Sequence, residues 1–242
     1  MHLISPEELT SAIADRLARQ SAVLVALDGR CGSGKTTLAE QLAERFPQSI
    51  TVHTDDFYLP PSRRVTGWEK IPCANMDIQR LRDEVVAPAR AGQAFSYQAY
   101  SCREDAYLPP RPLGSAPLVI VEGSYSHHPS LAPYYDIRIF VTCSPDEQAR
   151  RLRKREGKRY SNFVERWIPL EEGYFANYSI ARILFQYSIL IGVFNHFLKT
   201  LINGMRPLSL AFTLQISDKG EHHFLRQLFR FYGRLINRIM NA

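Results

Sequence analysis

Two runs of consecutive apolar residues predict strands that are buried on both faces of a sheet. Residues 22–27 read Ala-Val-Leu-Val-Ala-Leu and residues 118–121 read Leu-Val-Ile-Val, with no polar position in either run. Such runs are typical of parallel strands that have helices packed on both sides. Two further segments, Ser49–His53 and Ile137–Val141, are predicted as strands of the same sheet.

Helices are predicted between these strands from apolar periodicity and from helix-start residues. Ser5 and Ser144 are each followed by a proline and two acidic residues, a pattern typical of a capped helix start. The predicted helices run from Ser5 to near Arg19, from Thr36 to Phe46, from Asp77 to near Ala91, and onward from Ser144. Strands that alternate with helices indicate an α/β fold with a doubly wound parallel sheet.

Two proline-rich segments, Leu59–Asn75 and Tyr107–Pro117, are predicted as long irregular loops. Each contains at least three prolines, which interrupt both helical and strand patterns. Long loops inside compact domains often carry function, so both segments are candidates for contact with a ligand.

Residues 29–36, Gly-Arg-Cys-Gly-Ser-Gly-Lys-Thr, match the pattern GxxxxGK followed by Ser or Thr at every fixed position. The strand before and the helix after them favour a phosphate-binding loop over a glycine-rich turn with an incidental lysine. Glycines let backbone N–H groups surround phosphate oxygens, and the helix adds its positive dipole end. Lys35 is predicted to neutralise the β- and γ-phosphates and Thr36 to bind Mg²⁺. ATP and Mg²⁺ are therefore the predicted cofactors, held by Gly29, Cys31, Gly32, Ser33, Gly34, Lys35, Thr36 and Thr37.

Acidic residues follow two of the predicted strands. Asp55 and Asp56 come after the second strand, and Glu122 ends the third. Ligands of such sheets bind at the carboxyl ends of the strands, where Asp55 is predicted to accept the proton of an attacking hydroxyl. Glu122 is predicted to hold Mg²⁺ through water or to activate a nucleophile. The competing interpretations are turn or capping chemistry for the aspartates and a solvated strand end for Glu122.

The segment Arg150–Arg159 is dominated by basic residues, with Glu156 as its single acid. A solvated helix face is the plain interpretation of such a run. The scarcity of acids favours a lid that closes over ATP, with Arg151 and Arg155 as candidates to stabilise charge on the transferring phosphoryl group. Gly157 is the predicted hinge of this lid.

Together these motifs resemble the uridine kinase-like family of P-loop nucleoside kinases. The resemblance covers roughly residues 20–178. It is carried by Leu27–Thr37, Asp55-Asp56-Phe57-Tyr58, Val119–Gly123, the arginine-rich run, and Trp167–Glu172 with Tyr174 and Phe175.

The resemblance implies a P-loop NTPase fold and transfer of phosphate from ATP to the 5′-hydroxyl of uridine or another nucleoside. It places the general base at Asp55 and implies that Tyr58 contacts the substrate. Tyr97 and Tyr100, in an aromatic stretch before the third strand, are candidates to stack on a base or bond a ribose. The alternative for these two tyrosines is a structural role under a loop.

The resemblance does not fix the identity of the acceptor, because the related nicotinamide riboside kinases also carry an Asp-Asp-Phe element. Pantothenate kinases are more distant relatives with another acceptor. A P-loop ATPase or nucleotide-binding regulator without a small acceptor is an alternative of a different class. A guanine-reading NKxD motif is absent from the sequence, which disfavours a GTPase.

The net charge of +6 lies in the last part of the chain. Residues 1–175 hold 22 basic and 22 acidic side chains, whereas residues 176–242 hold eight basic and two acidic. With 45% hydrophobic and 22% charged residues, the composition excludes a disordered or collagen-like chain. The neutral catalytic region gives no reason to expect a nucleic-acid partner.

Two domains are predicted: a P-loop kinase domain over 1–178 and an atypical C-terminal extension over 179–242. The extension contains a predicted edge strand at 208–217 and a basic amphipathic helix at 222–240. The helix is interpreted as packed on the domain with an exposed arginine stripe, as bound to an anionic membrane or an acidic partner, or as part of a frame-shifted, non-native extension.

The expected partner is a nucleoside-like small molecule, and assembly into a homo-oligomer is kept as an alternative to a monomer. Four cysteines without CxxC pairs or zinc spacing favour the reduced cytoplasm, and the N-terminus does not resemble a signal peptide. The longest apolar stretch, Ile183–Leu198, is interrupted by polar residues, so a transmembrane segment is not expected.

Overall fold

A five-stranded parallel sheet forms the centre of the fold in the computed structural model, which describes residues 5–180 and 188–190. The strands are β1 (Val23–Gly29), β2 (Ser49–His53), β3 (Phe95–Tyr97), β4 (Tyr100–Ser101), β5 (Ala106–Tyr107), β6 (Arg111–Leu113), β7 (Leu118–Glu122), β8 (Ile137–Thr142) and β9 (Ser188–Leu190). The helices are α1 (Pro6–Leu17), α2 (Lys35–Arg45), α3 (Ile78–Arg80), α4 (Ala87–Arg90), α5 (Pro145–Glu156), α6 (Tyr160–Asn162) and α7 (Ile168–Asn177).

The strand order of the central sheet is β2–β7–β1–β8–β9, with every neighbouring pair parallel. In the register, Leu27 of β1 and His53 of β2 both lie opposite Glu122 of β7. The segments that follow β1, β2 and β7 therefore meet at the end of the sheet where the carboxyl ends of these strands lie. The predicted doubly wound parallel sheet and the four predicted strands of its core are confirmed.

Successive residues of β1 face two separate cores, which explains the unbroken apolar run. Leu24 belongs to one core, together with Val85 beyond α3 and Tyr174 of α7. Val23, Val25 and Leu27 belong to the other, which packs against α1 and α2. A strand covered on both faces has no solvent-facing position, so every residue of β1 is buried.

The helix starts follow the capping pattern of the sequence. The Ser5 hydroxyl accepts from the backbone N–H of Glu8 at 3.1 Å, and the Glu8 carboxylate accepts from the Ser5 N–H at 2.7 Å. Asp77 caps α3, which continues through a π-helical segment, Leu81–Val86, into α4. Each of these pairs satisfies N–H groups that have no partner inside a helix.

One predicted loop contains secondary structure. Tyr107–Pro117 was expected to be irregular, but Tyr107 lies in β5 and Arg111–Leu113 forms β6, paired antiparallel with β4 and β3 respectively. Strands of two or three residues are too short to show alternation, and prolines hide the rest of the pattern. The other predicted loop, Leu59–Asn75, is confirmed and holds only short 3₁₀ turns.

The edge of the sheet beside β8 is occupied by β9. The predicted strand at 208–217 and helix at 222–240 lie outside the described residues, and the boundary at 178 stays a prediction. Among the helices of the described part, none is long and apolar enough to cross a membrane.

Candidate active site

The phosphate-binding loop turns sharply where β1 ends. Gly29 has φ of +135°, and a Cβ at this position would lie 1.9 Å from the backbone oxygen of Val141 in β8. Both the backbone conformation and the close approach of β8 therefore require glycine. The loop ends at Gly34, after which α2 begins with Lys35.

Replacing Gly29 by alanine is expected to destabilise the fold by about 3 kcal/mol or more, since backbone strain at this positive φ and overpacking each cost about 1–3 kcal/mol. The matched control is Gly114→Ala, because a Cβ at Gly114 would meet no atom within 4 Å and the residue has no positive φ. Thermal unfolding of both variants measures the difference, with Gly114→Ala within about 0.5 kcal/mol of the parent. Equal melting temperatures for the two variants would contradict the close approach of β8.

The ammonium of Lys35 lies folded back over the loop. Its Nζ donates to the backbone oxygens of Gly29 at 2.7 Å and Arg30 at 3.1 Å, and the residue is 9% exposed. Burial raises the pKa of both the Asp55 and the Glu171 carboxyl, and this cation lies close enough to oppose the rise in each. A single buried cation is thus shared by the loop and by two carboxylates.

Asp55 follows β2 directly and lines a cavity that also contacts the phosphate-binding loop. Enclosure by the surrounding protein raises the pKa of Asp55, although solvent in the cavity reaches the side chain, and Lys35 opposes the shift. The Tyr58 hydroxyl lies near this carboxylate and also opposes the rise in its pKa. The neighbouring Asp56 points elsewhere, since it accepts from the Tyr97 hydroxyl at 2.7 Å.

Glu122 lies at the end of β7 beside the start of α2. Both of its carboxylate oxygens are 3.4 Å from the hydroxyl of Thr36, and the residue is 5% exposed. His53 Nδ1 lies 2.5 Å from Glu122 Oε1, and this hydrogen bond raises the pKa of His53. A hydroxyl and a carboxylate are the hard oxygen ligands that Mg²⁺ prefers, so these two residues fit the ion.

The basic helix α5 reaches the phosphate-binding loop. Arg151 donates to the backbone oxygens of Gly32 at 3.3 Å and Ser33 at 3.0 Å, and also pairs with Glu147 at 2.6 Å. Arg155 pairs with Glu156 at 2.7 Å and lines the same cavity. Gly157, at φ of +56°, ends the helix.

Two consecutive glutamates of α7 also reach the loop, and the sequence did not predict this role. Glu171 accepts from the backbone N–H of Cys31 at 2.9 Å and from the Ser124 hydroxyl at 2.5 Å. Glu172 pairs with Arg30 through two bonds of 2.6 and 3.1 Å. Burial raises the pKa of Glu171. Helix α7 therefore holds the backbone of the phosphate-binding loop.

A buried carboxylate behind the loop was also missed. Asp28 Oδ2 accepts from the His127 backbone N–H at 2.9 Å and from the Tyr174 hydroxyl at 2.8 Å, and Oδ1 accepts from the Gly29 N–H at 2.7 Å. These bonds tie β1 to the segment after β7 and to α7. An acid directly after the apolar run 22–27 was the one signal for it in the sequence.

These groups surround a cavity of 770 Å³, a size typical of small-molecule sites. Most of the predicted site residues line it: Cys31, Gly32, Gly34, Lys35, Thr36, Thr37, Asp55, Tyr58, Glu122, Arg151 and Arg155. Its walls also include residues that were not predicted as site residues, namely Asn75, Gly123, Ser124, Tyr125, Glu156, Phe163, Trp167 and Glu171.

Four predicted site residues do not line the cavity. Gly29 and Ser33 contribute their backbone oxygens to Lys35 and Arg151 instead. Tyr97 is 2% exposed and bonded to Asp56, and the Tyr100 hydroxyl donates to Asp105. The structure therefore does not bring the two tyrosines to the other predicted site residues.

Proteins of known name that resemble this chain in sequence or fold include kinases. Mouse nicotinamide riboside kinase 2 is 25% identical over 143 residues, covering 55% of this chain and 68% of that protein. The structure of a possible uridine kinase from Bacillus stearothermophilus has a TM-score of 0.55 at 17% identity, over 76% of this chain and 99% of the other. A fructose transport system kinase candidate from Silicibacter has a TM-score of 0.54 at 20% identity, over 69% and 92%.

The fold and the phosphate-binding loop define a P-loop NTPase of the α/β class. A family model described as an AAA domain matches residues 25–168, more than half of the chain, so the chain belongs to that family. The resemblance to uridine kinase-like P-loop kinases is confirmed by the structural neighbours at the level of the fold.

Proposed function

We propose that the protein transfers the γ-phosphoryl group of ATP to a hydroxyl of a small molecule, in the first place the 5′-hydroxyl of uridine or another nucleoside. The observation that carries the proposal is the presence of Asp55 in the same cavity as Lys35 and the phosphate-binding loop. A carboxylate beside a triphosphate site is suited to taking a proton from an attacking hydroxyl.

The residues of the cavity supply each part of such a transfer. Asp55 accepts the proton of the acceptor hydroxyl, whose oxygen attacks the γ-phosphorus while the bond to the β-phosphate oxygen breaks and ADP leaves. Lys35 stabilises the charge that develops on the phosphoryl oxygens, and the loop backbone binds the β-phosphate. Thr36 and Glu122 would hold Mg²⁺, which neutralises charge on the phosphates when it is bound.

Arginines of α5 would act as a lid over the transferring group. Replacing Arg155 by alanine is expected to lower kcat about 10–100-fold, because a cation near the γ-phosphate stabilises the transition state. Arg153→Ala is the matched control, since Arg153 stacks on Tyr160 and does not line the cavity. Steady-state kinetics would compare the two variants, and equal kcat values would contradict a lid role for Arg155.

Nicotinamide riboside is the second candidate acceptor. It is favoured by the similarity to mouse nicotinamide riboside kinase 2, which covers 68% of that protein. Both acceptors present a primary hydroxyl on a ribose, so the same role for Asp55 applies to each. Pantothenate is a third candidate acceptor for the same kind of phosphate transfer from ATP.

The test is a coupled assay of ADP release by the full chain with ATP and Mg²⁺, with and without uridine, nicotinamide riboside or pantothenate. The expected result is ADP release that depends on one of these acceptors, together with a phosphorylated acceptor detected by mass spectrometry. ADP release that no acceptor stimulates would favour the alternative, a P-loop ATPase or regulator.

The proposal also includes a cytoplasmic location for the protein and a separate C-terminal extension that begins at residue 179.

A further inference from the structure

A carboxylate of α7 accepts a hydrogen bond from a backbone N–H of the phosphate-binding loop. Glu171 Oε2 accepts from the Cys31 N–H at 2.9 Å, and Oε1 accepts from the Ser124 hydroxyl at 2.5 Å. All three residues line the cavity. The backbone N–H groups of such a loop are the donors that bind phosphate oxygens. One of these donors is therefore bonded to an anion that belongs to the chain itself.

The surroundings of the Glu171 carboxylate are those that a phosphate oxygen would need. Burial raises the pKa of the Glu171 carboxyl, and the nearby ammonium of Lys35 opposes the rise. Lys35 is held over the loop by the backbone oxygens of Gly29 and Arg30. A loop N–H, a hydroxyl and a shared cation are typical partners of a phosphate oxygen. Glu171 thus occupies a position that is suited to any anion, a phosphate included.

The neighbouring Glu172 contacts the loop in a different way. It pairs with the guanidinium of Arg30 through two bonds of 2.6 and 3.1 Å, and its side chain is 44% exposed. Glu172 does not line the cavity. Its partner is a side chain that takes no part in the proposed binding of phosphate. Of these two consecutive glutamates, only Glu171 uses a donor of the phosphate-binding backbone.

The two hydrogen-bond partners of Glu171 come from two sides of the predicted triphosphate site. Cys31 belongs to the loop after β1, and Ser124 follows β7. Burial raises the pKa of the Tyr125 hydroxyl, and the nearby carboxylates of Glu171 and Asp55 raise it further. Both acids therefore lie close to one residue of the cavity wall. In the proposed reaction the terminal phosphoryl group lies between the loop and Asp55, on the side of the cavity where Glu171 is found.

We propose that Glu171 holds the place of the terminal phosphoryl group and gives up the Cys31 N–H when ATP binds. The inference rests on the ATP binding that the proposed function includes, and it does not depend on the acceptor. Two anions at one donor repel each other strongly in a buried site, so ATP has to displace the carboxylate. This displacement lowers the apparent affinity for ATP. ADP lacks the terminal group and leaves the contact of Glu171 in place.

The test compares the full-length parent with Glu171→Gln, which keeps an oxygen for the Cys31 N–H but removes the charge. Isothermal titration measures Kd for ADP and for the non-hydrolysable β,γ-imido analogue of ATP, each with Mg²⁺. We expect the variant to bind the analogue about 10–100-fold more tightly than the parent does, and Kd for ADP to change less than about threefold. Unchanged or weaker binding of the analogue, or an equal gain for ADP, would overturn the proposal.

Glu172→Gln is the matched control, because it removes the same charge from the next residue of α7. Glu172 also supports the loop through Arg30, so a mere loss of support would weaken nucleotide binding in both variants. We expect Glu172→Gln to gain no affinity for the analogue, since its exposed charge is screened by solvent. An equal gain in the two variants would show a general charge effect and overturn the role of Glu171. Glu171→Ala serves as a second variant if the glutamine variant does not fold.

Failure of the proposed function is observed separately, because binding of the analogue requires no acceptor. Tighter binding by Glu171→Gln, with no acceptor phosphorylated by the parent, would support the role of Glu171 and contradict the kinase activity. Phosphorylation by the parent, with unchanged affinity in Glu171→Gln, would support the kinase activity and contradict the role of Glu171. If neither protein binds either nucleotide, both proposals are contradicted.

Discussion

Replacing Asp55 by asparagine is expected to lower the rate of acceptor phosphorylation about 10²–10⁴-fold, the range that a positioned general base contributes. The amide has the shape of the carboxylate but cannot take the proton from the acceptor hydroxyl. Binding of ATP should change little, because the phosphates are held by the loop backbone and Lys35. The measurement is a single-turnover assay of phosphate transfer alongside a titration of ATP binding.

The matched control for this variant is Asp56→Asn, the adjacent residue with the same change in charge. Asp56 accepts from the Tyr97 hydroxyl and does not line the cavity. Its replacement should therefore leave the transfer rate within a few-fold of the parent. Equal losses in the two variants would show that charge near β2, and not proton transfer by Asp55, limits the reaction.

The pH dependence of the reaction follows from the same carboxyl. The cavity walls raise the pKa of Asp55 above its ordinary value of 3.8. Since the ionised form is the base, kcat/KM is expected to fall as the pH drops through this raised pKa. The acid limb should begin at a higher pH than for an ordinary aspartate, and it should vanish from any residual activity of Asp55→Asn.

Replacing Lys35 by methionine is expected to lower kcat about 10²–10³-fold, since it removes a preorganised cation from the transition-state charge. ATP affinity should fall as well, because the methionine stem cannot neutralise phosphate oxygens. Lys35 also opposes the rise that burial causes in the pKa of Asp55 and of Glu171. Its loss should raise the pKa of Asp55 further and move the acid limb of the residual activity to higher pH.

Lys70→Met provides the control for the loss of one positive charge. Lys70 is exposed in the loop before α3 and does not line the cavity. Its replacement should leave kcat, ATP affinity and the acid limb unchanged. A Lys35→Met protein with parent-like affinity for ATP would contradict the assignment of the phosphate-binding loop.

The central sheet could be predicted because its strands are covered on both faces. Burial of every residue in β1 and in β7 leaves a continuous apolar run that needs no knowledge of the tertiary structure. The phosphate-binding loop could be predicted for a similar reason, since strand, loop and helix are consecutive in the chain. Lys35, Thr36 and the loop glycines acquire their positions from these local elements.

Other parts of the site depend on contacts that are remote in sequence. Glu171 reaches the backbone of Cys31 across 140 residues, and no local pattern connects α7 with the phosphate-binding loop. Asn75 is placed by pairing of its loop with the segment after β2, which sequence periodicity does not describe. Such contacts follow from tertiary packing, so the residue types alone gave no signal for them.

The aromatic stretch that forms β3 and the start of β4 was predicted as a ligand contact that the structure does not show. Tyr97 and Tyr100 have the right residue type for a base-binding site, but their hydroxyls are bonded to Asp56 and Asp105. These two tyrosines belong to a part of the fold where β3 pairs with β6 and β4 pairs with β5, and the sequence did not predict that pairing. Residue type in a stretch between two strands therefore could not distinguish a ligand contact from a structural hydrogen bond.

Acceptor-dependent phosphate transfer by the full chain, measured for the parent and for Asp55→Asn, tests the central claim most directly. The account predicts that uridine or nicotinamide riboside stimulates ADP release by the parent and appears as a phosphorylated product. It also predicts that Asp55→Asn binds ATP but forms no product above about 1% of the parent rate. ADP release without any phosphorylated acceptor, or parent-like transfer by Asp55→Asn, would contradict the account.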